Sequence, residues 1–278
     1  MLLSPASARR PCLFVGRLCD RAGPVTCIGR IKCLPPLSGA GTGAYCQIDH
    51  RTPPLHHSPD RLFDRFYDGF LFDMDGTLLN SIAAAERVWS RWALKHGLDL
   101  ETFLPTMHGK RGIDTISALN LPGIDVVKEA LEVERGEIED LDGIVPIPGA
   151  IAFLESLPAD RWAIVTSAPT ALARARIGAA GLPQPRQIVT AEDVKIGKPD
   201  PAGYRLGAER LGFAPSRCLV FEDVLAGVQA GEAAGADVAV ITATHAHPLK
   251  TSHPTIATYE RLTVTFAPSQ GLRISAAG

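Results

Sequence analysis

The sequence has little net charge and no long apolar run, and each of these absences excludes a class of protein. Its 28 basic side chains nearly balance 30 acidic ones, so we do not expect a polybasic nucleic-acid-binding protein. No run approaches the roughly 18 to 20 apolar residues that a membrane-spanning helix needs. With 278 residues, 46% of them hydrophobic, the chain is long enough for one large domain or two small ones with a hydrophobic core.

Cysteine is scarce after the first 46 residues, where five of the six cysteines lie. Only Cys218 follows, at the start of a predicted strand, and we expect it to be a small buried core residue. Charge is uneven as well. Residues 1–66 carry nine basic and four acidic side chains, which leaves 19 basic and 26 acidic side chains in residues 67–278. The body of the chain is therefore acidic.

The front segment, residues 1–65, is rich in Pro, Gly, Arg and Cys and shows neither helical nor strand periodicity. Arginines bracket its short apolar stretch, which argues against a secretory signal. It has no Cys-x-x-Cys pair, which argues against a zinc site. Its arginines and scarce acids fit an organellar transit peptide. We expect instead a disordered leader, or upstream sequence translated from a start site placed too early.

Order is expected to begin near residue 66. Residues 66–72 are apolar and aromatic, which is typical of a strand buried on both faces of a parallel sheet. Asp73 and Asp75 follow this strand, so their side chains project to the same side, and Gly76 allows a sharp turn. Two carboxylates this close repel each other unless a cation lies between them. The pair therefore predicts a metal site.

Downstream of these carboxylates the pattern becomes helical. Residues 82–96 have apolar positions at helical spacing, with Gly97 as a stop signal, and short helical segments follow to about residue 138. Strands and helices then alternate over residues 150–241. This order predicts an α/β fold, a doubly wound parallel sheet with an inserted α-helical block.

The domain organisation follows from this pattern. We expect a core domain made of residues 66–80 and 145–278, and a helical cap domain made of residues 81–144. The stretches 262–265 and 272–275 predict a short strand or hairpin at the sheet edge. The acidic side chains of the last segment of the helical block are expected to form a solvated helix face: Glu129, Glu132, Glu134 and Glu137.

Four motifs carry a resemblance to a known family. Residues 73–78 (DMDGTL) resemble the first motif of the haloacid-dehalogenase-like superfamily, and Thr166-Ser167, Lys198-Pro199 and Glu222-Asp223 resemble its second, third and fourth motifs in order. The helical block is similar to the cap of the subgroup that contains β-phosphoglucomutase and the sugar-phosphate and polyol-phosphate phosphatases. Within it, residues 108–111 and 162–167 resemble hexitol-phosphate, 2-deoxyglucose-6-phosphate and glycerol-phosphate phosphatases.

The resemblance and the residues together indicate a Mg²⁺-dependent phosphatase acting on a small sugar or polyol phosphate. Cations must offset the two negative charges of the phosphate before a carboxylate can attack its phosphorus, and Mg²⁺ suits an all-oxygen site. We expect Asp73 to be the nucleophile, forming an aspartyl-phosphate while its second oxygen holds the metal. Asp75 would contribute its backbone carbonyl to the metal and act as general acid and base through its side chain.

The remaining motif residues have expected roles and simpler alternatives. Thr166, Ser167 and Lys198 would bind the phosphoryl group, although the first two could be helix caps and Lys195 is a rival to Lys198. Asp223 and Glu222 would complete the metal site, directly or through water, although this pair could also cap a helix.

The cap and tail are less specific. Three residues of the cap, which could instead form a solvated basic loop, are candidates for substrate specificity: His108, Lys110 and Arg111. Three histidines of the tail are expected to be surface residues rather than a metal site: His245, His247 and His253.

Two further functions remain open. One is a phosphomutase similar to β-phosphoglucomutase, and the other is a non-enzymatic phosphate-binding module. A dehalogenase is disfavoured because a halide needs no proton, whereas Asp75 supplies one. We expect a small phosphate ester as the partner, no nucleic acid and no membrane, a monomer or weak homo-oligomer, and a cytoplasmic location.

Overall fold

The computed structural model describes residues 62, 65–245 and 249–276. The predictions for the front segment therefore lie outside the described residues, apart from positions 62 and 65. Among the described residues, no helix has both the length and the apolar character needed to cross a membrane.

The described residues form ten strands and eight α-helices. The strands are β1 (Gly69–Phe72), β2 (Leu79–Asn80), β3 (Val145–Pro146), β4 (Trp162–Val165), β5 (Ile188–Val189), β6 (Cys218–Glu222), β7 (Asp237–Ile241), β8 (Thr255–Ile256), β9 (Leu262–Ala267) and β10 (Gly271–Ala276). The helices are α1 (Ile82–Lys95), α2 (Leu100–Phe103), α3 (Gly112–Ala118), α4 (Val126–Glu139), α5 (Ala150–Glu155), α6 (Thr170–Ala179), α7 (Ala202–Leu211) and α8 (Leu225–Ala234).

Six strands form one parallel sheet in the order β5-β4-β1-β6-β7-β8. Along β1, side chains alternate between the two faces. Phe70 and Phe72 pack with Phe153 of α5 on one face, whereas Leu71 packs with Tyr204 of α7 on the other. Helices therefore cover both faces, and the predicted doubly wound parallel sheet is confirmed.

The sheet places three strand ends together. Phe72, the last residue of β1, pairs with Ile164 of β4 on one side and with Phe221 of β6 on the other. Because these strands are parallel, the residues that follow all three meet at the carboxyl edge of the sheet, where open α/β folds bind ligands.

Helices α1 to α4 form a helical insert, residues 82–139, between β2 and β3. It has its own apolar cluster, in which Trp89 and Trp92 of α1 pack with Phe103, Ile116 and Val133. The predicted helical block is present. Its standing as a separate cap domain, with the boundaries given above, stays a prediction.

The end of the chain differs in detail from the expectation. The predicted hairpin is present as β9 and β10, but it forms its own two-stranded sheet, which joins the body through a bridge between Leu272 and Tyr67. The edge strand next to β7 in the parallel sheet is instead β8, a two-residue strand that was not predicted. A segment this short has too few residues to show the strand period in a sequence.

Candidate active site

The carboxyl edge of the sheet gathers buried polar side chains. Asp73 follows β1, Thr166 follows β4, Glu222 ends β6 and Asp223 comes next. All four are buried, and Glu222 is completely excluded from solvent. Buried polar groups need partners, so their hydrogen bonds define the site.

Lys198, in the loop between β5 and α7, links two of these carboxylates. Its Nζ atom donates to Asp73 Oδ1 and to Glu222 Oε1, both at 2.5 Å. Tyr204 of α7 also donates to Glu222 Oε1, at 2.7 Å, and the backbone N–H of Asp223 donates to Glu222 Oε2 at 3.0 Å. Both oxygens of Glu222 are thus engaged by the protein, and this residue anchors Lys198.

Three carboxyl groups in this site, those of Asp73, Glu222 and Asp223, have ligand oxygens within 4.8 Å of one another. No described residue donates to Asp73 Oδ2 or Asp223 Oδ2, and Thr77 donates to Asp223 Oδ1 at 3.2 Å. Hard oxygen donors of this kind suit a divalent cation such as Mg²⁺ or Ca²⁺. These residues therefore fit a metal ion, with Glu222 the least available because its oxygens already accept hydrogen bonds.

Charge at the site supports the same conclusion. Burial raises the pKa of Asp73 to about 7, a shift that Lys198 opposes and Glu222 reinforces. Burial, together with Asp73 and Glu222, raises the pKa of Asp223 well above its usual value. Burial disfavours the charged form of Lys198, but the two carboxylates outweigh it and raise its pKa. One ammonium cannot offset three carboxylates, which favours a bound cation.

Asp75 lies beside this cluster and has partners of its own. Its Oδ1 atom accepts hydrogen bonds from Ser81 Oγ at 2.6 Å and from Arg176 Nη1 at 2.9 Å. A second guanidinium nitrogen of Arg176, Nη2, donates to Glu137 Oε1 in α4 at 2.8 Å. Glu137 is buried, which overturns the expectation of a solvated position for this member of the acidic run, because α4 packs its carboxylate against α6.

Thr166 and Ser167 line one pocket together with Lys198 and Arg111. Thr166 Oγ1 accepts from the backbone N–H of Ala168 at 3.0 Å, and Ser167 Oγ donates to the carbonyl oxygen of Gly109 at 2.9 Å. Neither is the N-cap of α6, which is Pro169. Likewise the N-cap of α8 is Val224, not Glu222 or Asp223. None of these four residues is therefore the N-cap of a helix in the structure, as the alternative interpretation expected.

The three cap candidates make different contacts. Arg111 is tied to the protein at each of its nitrogens, to the Asp114 carboxylate and to the carbonyl oxygens of Val194 and Lys195. His108 pairs with Glu86 at 3.3 Å, and Lys110 is exposed. Specificity roles for His108, Lys110 and Arg111 stay predictions.

The rival lysine and the tail histidines also have definite positions. Lys195 is exposed, so Lys198 is the lysine of the site. His245 Nε2 donates to the carbonyl oxygen of Asp223 at 2.7 Å, and buried His253 pairs with Glu232 at 2.8 Å. The prediction of surface positions is wrong for His253, because the chain folds back to form β8. His247 lies outside the described residues.

Sequence patterns missed four residues that the structure adds to the site: Ser81, Glu137, Arg176 and Tyr204. A signal for Arg176 was present. It lies among Leu172, Ala173 and Ile177, on the buried face of α6. An arginine at that spacing indicates a buried charge that needs a partner.

Comparisons with known proteins place this geometry in a family. The chain is 45% identical over 206 residues to hexitol phosphatase A of Escherichia coli, an alignment that covers 72% of this chain and 95% of that protein. It is 32% identical over 190 residues to glycerol-1-phosphate phosphohydrolase 2 of Saccharomyces cerevisiae, with coverages of 63% and 74%.

The fold has a solved counterpart as well. β-Phosphoglucomutase of Clostridium difficile aligns with a TM-score of 0.62 at 19% identity, over 71% of this chain and 93% of that one, which is a likeness of fold. A sequence model described as haloacid dehalogenase-like hydrolase matches residues 67–235, more than half of the chain. The chain therefore belongs to the haloacid dehalogenase-like hydrolase family.

Proposed function

We propose that this protein is a Mg²⁺-dependent phosphatase that hydrolyses a small sugar or polyol phosphate through an aspartyl-phosphate. The observation that carries the proposal is the contact of Lys198 with the buried carboxylate of Asp73, beside Asp223 and next to Asp75. Relatives named as a hexitol phosphatase and a glycerol-1-phosphate phosphohydrolase support the substrate class.

Asp73 is the nucleophile in this proposal. A carboxylate oxygen of Asp73 forms a bond to phosphorus while the bond from phosphorus to the ester oxygen breaks. Lys198 offsets the negative charge that the carboxylate and the phosphoryl group bring together. Thr166 and Ser167 bind phosphoryl oxygens, the latter with its backbone N–H because its hydroxyl donates to Gly109.

Asp75 moves the protons. Its side chain gives a proton to the departing ester oxygen, so that the alcohol leaves neutral. In the second half of the reaction it takes a proton from the water that attacks phosphorus, and the bond to Asp73 breaks with release of phosphate. Both groups then return to their starting states, and one water is consumed per ester.

Asp73, Asp223 and the backbone carbonyl of Asp75 would hold the metal, with Glu222 beside them. When bound, Mg²⁺ offsets charge on the phosphate and the carboxylates. The helical insert would act as a cap of residues 81–144 over a core of residues 66–80 and 145–278.

We extend the proposal to the cellular location and the oligomeric state of the enzyme. Cys218 is a free, buried thiol, which suits a reducing compartment such as the cytoplasm. A small phosphate ester would be the partner, and the assembly would be a monomer or a weak homo-oligomer. Size-exclusion chromatography with light scattering tests the oligomeric state.

A phosphate-release assay tests the activity. Hexitol phosphates, glycerol 1-phosphate and sugar phosphates are incubated with the protein and Mg²⁺, with Asp73→Asn as the control. We expect release from at least one of them and none with the variant. Release that persists in Asp73→Asn would assign the nucleophile elsewhere. Formation of an isomeric sugar phosphate without release would indicate a mutase.

A further inference from the structure

We propose that Arg176 is a positioning residue that orients the Asp75 carboxylate for proton transfer, and that Glu137 of the helical insert holds Arg176 in place. The inference rests on the proposed phosphatase function. It adds two residues that the family motifs do not include, one from the core helix α6 and one from the insert helix α4.

Arg176 is a charged residue that is almost completely buried. Only 5% of the residue is exposed, and its Nε atom is buried without a partner among the described residues. Its two remaining nitrogens each contact one carboxylate, Asp75 at 2.9 Å and Glu137 at 2.8 Å. A buried arginine is tolerated when ion pairs of this kind compensate its desolvation. The guanidinium therefore has one position, fixed by both partners.

The hydrogen bonds of Asp75 are unevenly distributed between its two oxygens. Ser81 and Arg176 both donate to Oδ1, whereas no described residue donates to Oδ2. Fixing one oxygen with two donors sets the plane and rotation of the carboxylate, because its two oxygens are rigidly linked. Oδ2 is left as the atom that carries the proton to the departing ester oxygen.

Glu137 connects this arrangement to the helical insert. Its carboxylate is nearly as buried as the guanidinium that it binds, with side-chain exposures of 10% and 6%. The contact joins α4 to α6, two helices that are far apart in sequence but pack against each other. The contact of Arg176 with Asp75 therefore depends on the insert being packed against α6, whereas the hydrogen bond from Ser81 to Asp75 does not involve α4.

A purely structural ion pair would have different consequences. It would lower the activity on every substrate by the same factor, through loss of folded protein. A positioning role predicts selective loss on substrates that need a proton. An alkyl phosphate has a poor leaving group and needs the general acid, whereas p-nitrophenyl phosphate has a good one and hardly does. The ratio of kcat/KM values for the two substrates separates these cases.

The experiment compares Arg176→Met, Arg176→Met with Glu137→Met, and Glu137→Gln in the full chain with Mg²⁺. The parameter is kcat/KM, because it reports the steps up to departure of the alcohol or phenol. We expect the two Arg176 variants to lose about 10- to 100-fold on the alkyl phosphate, part of the 10²–10⁴ that a general acid supplies, and under about threefold on p-nitrophenyl phosphate. Glu137→Gln keeps one acceptor, so a smaller alkyl-selective loss is expected.

Two controls make the result specific. Glu132→Gln applies the same change to the same helix, at a partly exposed residue whose carboxylate pairs with Lys95, and it should leave both kcat/KM values unchanged. In an Asp75→Asn background, Arg176→Met should lower the alkyl value by less than about threefold further, since two residues that act through one group are not additive.

Several outcomes would overturn the inference. Equal losses on both substrates, additive losses in the Asp75→Asn background, or a wild-type ratio in all three variants would each do so. Arg176→Met leaves the Glu137 carboxylate without its ion pair and could fail to fold for that reason, in which case the double variant, which also removes that carboxylate, is measured instead. If neither variant folds, the nearly isosteric Glu137→Gln tests the inference. A wild-type protein inactive on both substrates would instead contradict the proposed function itself.

Discussion

The Glu222 carboxylate occupies the space that a Cβ atom on Gly227 would need. An ideal Cβ at position 227 would lie 1.7 Å from Glu222 Oε1 and 1.9 Å from its Cδ atom. Glycine in the first turn of α8 therefore lets the helix approach the end of β6. Glu222 in turn accepts a hydrogen bond from Lys198, which contacts Asp73. The absence of a side chain at Gly227 therefore also helps to hold Lys198 in place.

Gly227→Ala should consequently impair the site. The added methyl group must displace the Glu222 carboxylate and deprive Lys198 of one of its two anchors. We expect kcat to fall by at least about tenfold, since charge-stabilising groups in active sites are worth 10²–10³. Steady-state kinetics well below the unfolding temperature is the measurement.

Gly178→Ala is the matched control. Gly178 also lies in a helix, α6, and no atom beyond its chain neighbours and the adjacent helix backbone lies within 4 Å of its ideal Cβ position. Alanine there should stabilise the helix by about 0.5–1 kcal/mol and leave kcat unchanged. Equal kcat values for the two variants would show that the position of Glu222 does not matter.

Removal of divalent cations should stop the reaction. The three clustered carboxyl groups, those of Asp73, Glu222 and Asp223, face a single ammonium group, that of Lys198, so we expect a phosphate dianion to bind only when a further cation is present. EDTA should abolish phosphate release, and excess Mg²⁺ should restore it.

Substitution tests the ligand set. Asp223→Asn should raise the Mg²⁺ concentration for half-maximal activity by about tenfold or more, in line with the effect of losing one ligand or its support. Asp160→Asn serves as the control, because Asp160 is an exposed residue just before β4, at the amino end of the strand and therefore at the opposite edge of the sheet from the site. Activity that survives exhaustive chelation would refute the metal requirement.

The central part of the site could be predicted from the sequence because its signals are local. Asp73 and Asp75 follow an apolar strand, and Glu222 and Asp223 lie at the end of another. Once strand and helix alternation indicates a parallel sheet, these residues must meet at its carboxyl edge. Lys198 is in a loop, where periodicity says nothing, and only its motif identified it.

The partners of Asp75 could not be predicted in this way. Glu137 sits in a run of acidic residues on α4, and its helix has the composition of a solvated one. Its burial depends on α4 packing against α6, a tertiary contact between segments far apart in sequence. The same holds for His253, whose environment is formed only when β8 adds to the sheet.

The contacts of Arg111 favour a role in attaching the helical insert to the loop before Lys198, over the substrate contact expected from the sequence. Every guanidinium nitrogen is engaged, by Asp114 or by the carbonyl oxygens of Val194 and Lys195 in the loop that leads to Lys198. Arg111→Ala should therefore lower kcat/KM by a similar factor for glycerol, hexitol and sugar phosphates. Parallel kinetics on the three substrates measures this.

The control is Arg91→Ala, which removes an exposed arginine of the insert with a long 3.7 Å contact to Asp140. It should leave all three kcat/KM values unchanged, since exposed pairs of this kind contribute little. A change in substrate preference for Arg111→Ala would instead support direct contact between this arginine and the substrate.

Cys218 should resist alkylation in the folded protein. It is fully buried in β6, and burial, with a smaller effect of Asp68, raises the pKa of its thiol to about 12 from an ordinary value of 9.0. At a pH below both values, the thiolate fraction is smaller by on the order of a thousandfold, and only the thiolate reacts. Peptide mass spectrometry after iodoacetamide treatment should find Cys218 unmodified under native conditions and modified in guanidinium chloride.

Because access to the Cys218 thiol requires opening of a central strand, its labelling rate should track global unfolding. Rapid native labelling at Cys218, with the kinetics unchanged, would contradict the placement of β6 in the middle of the sheet.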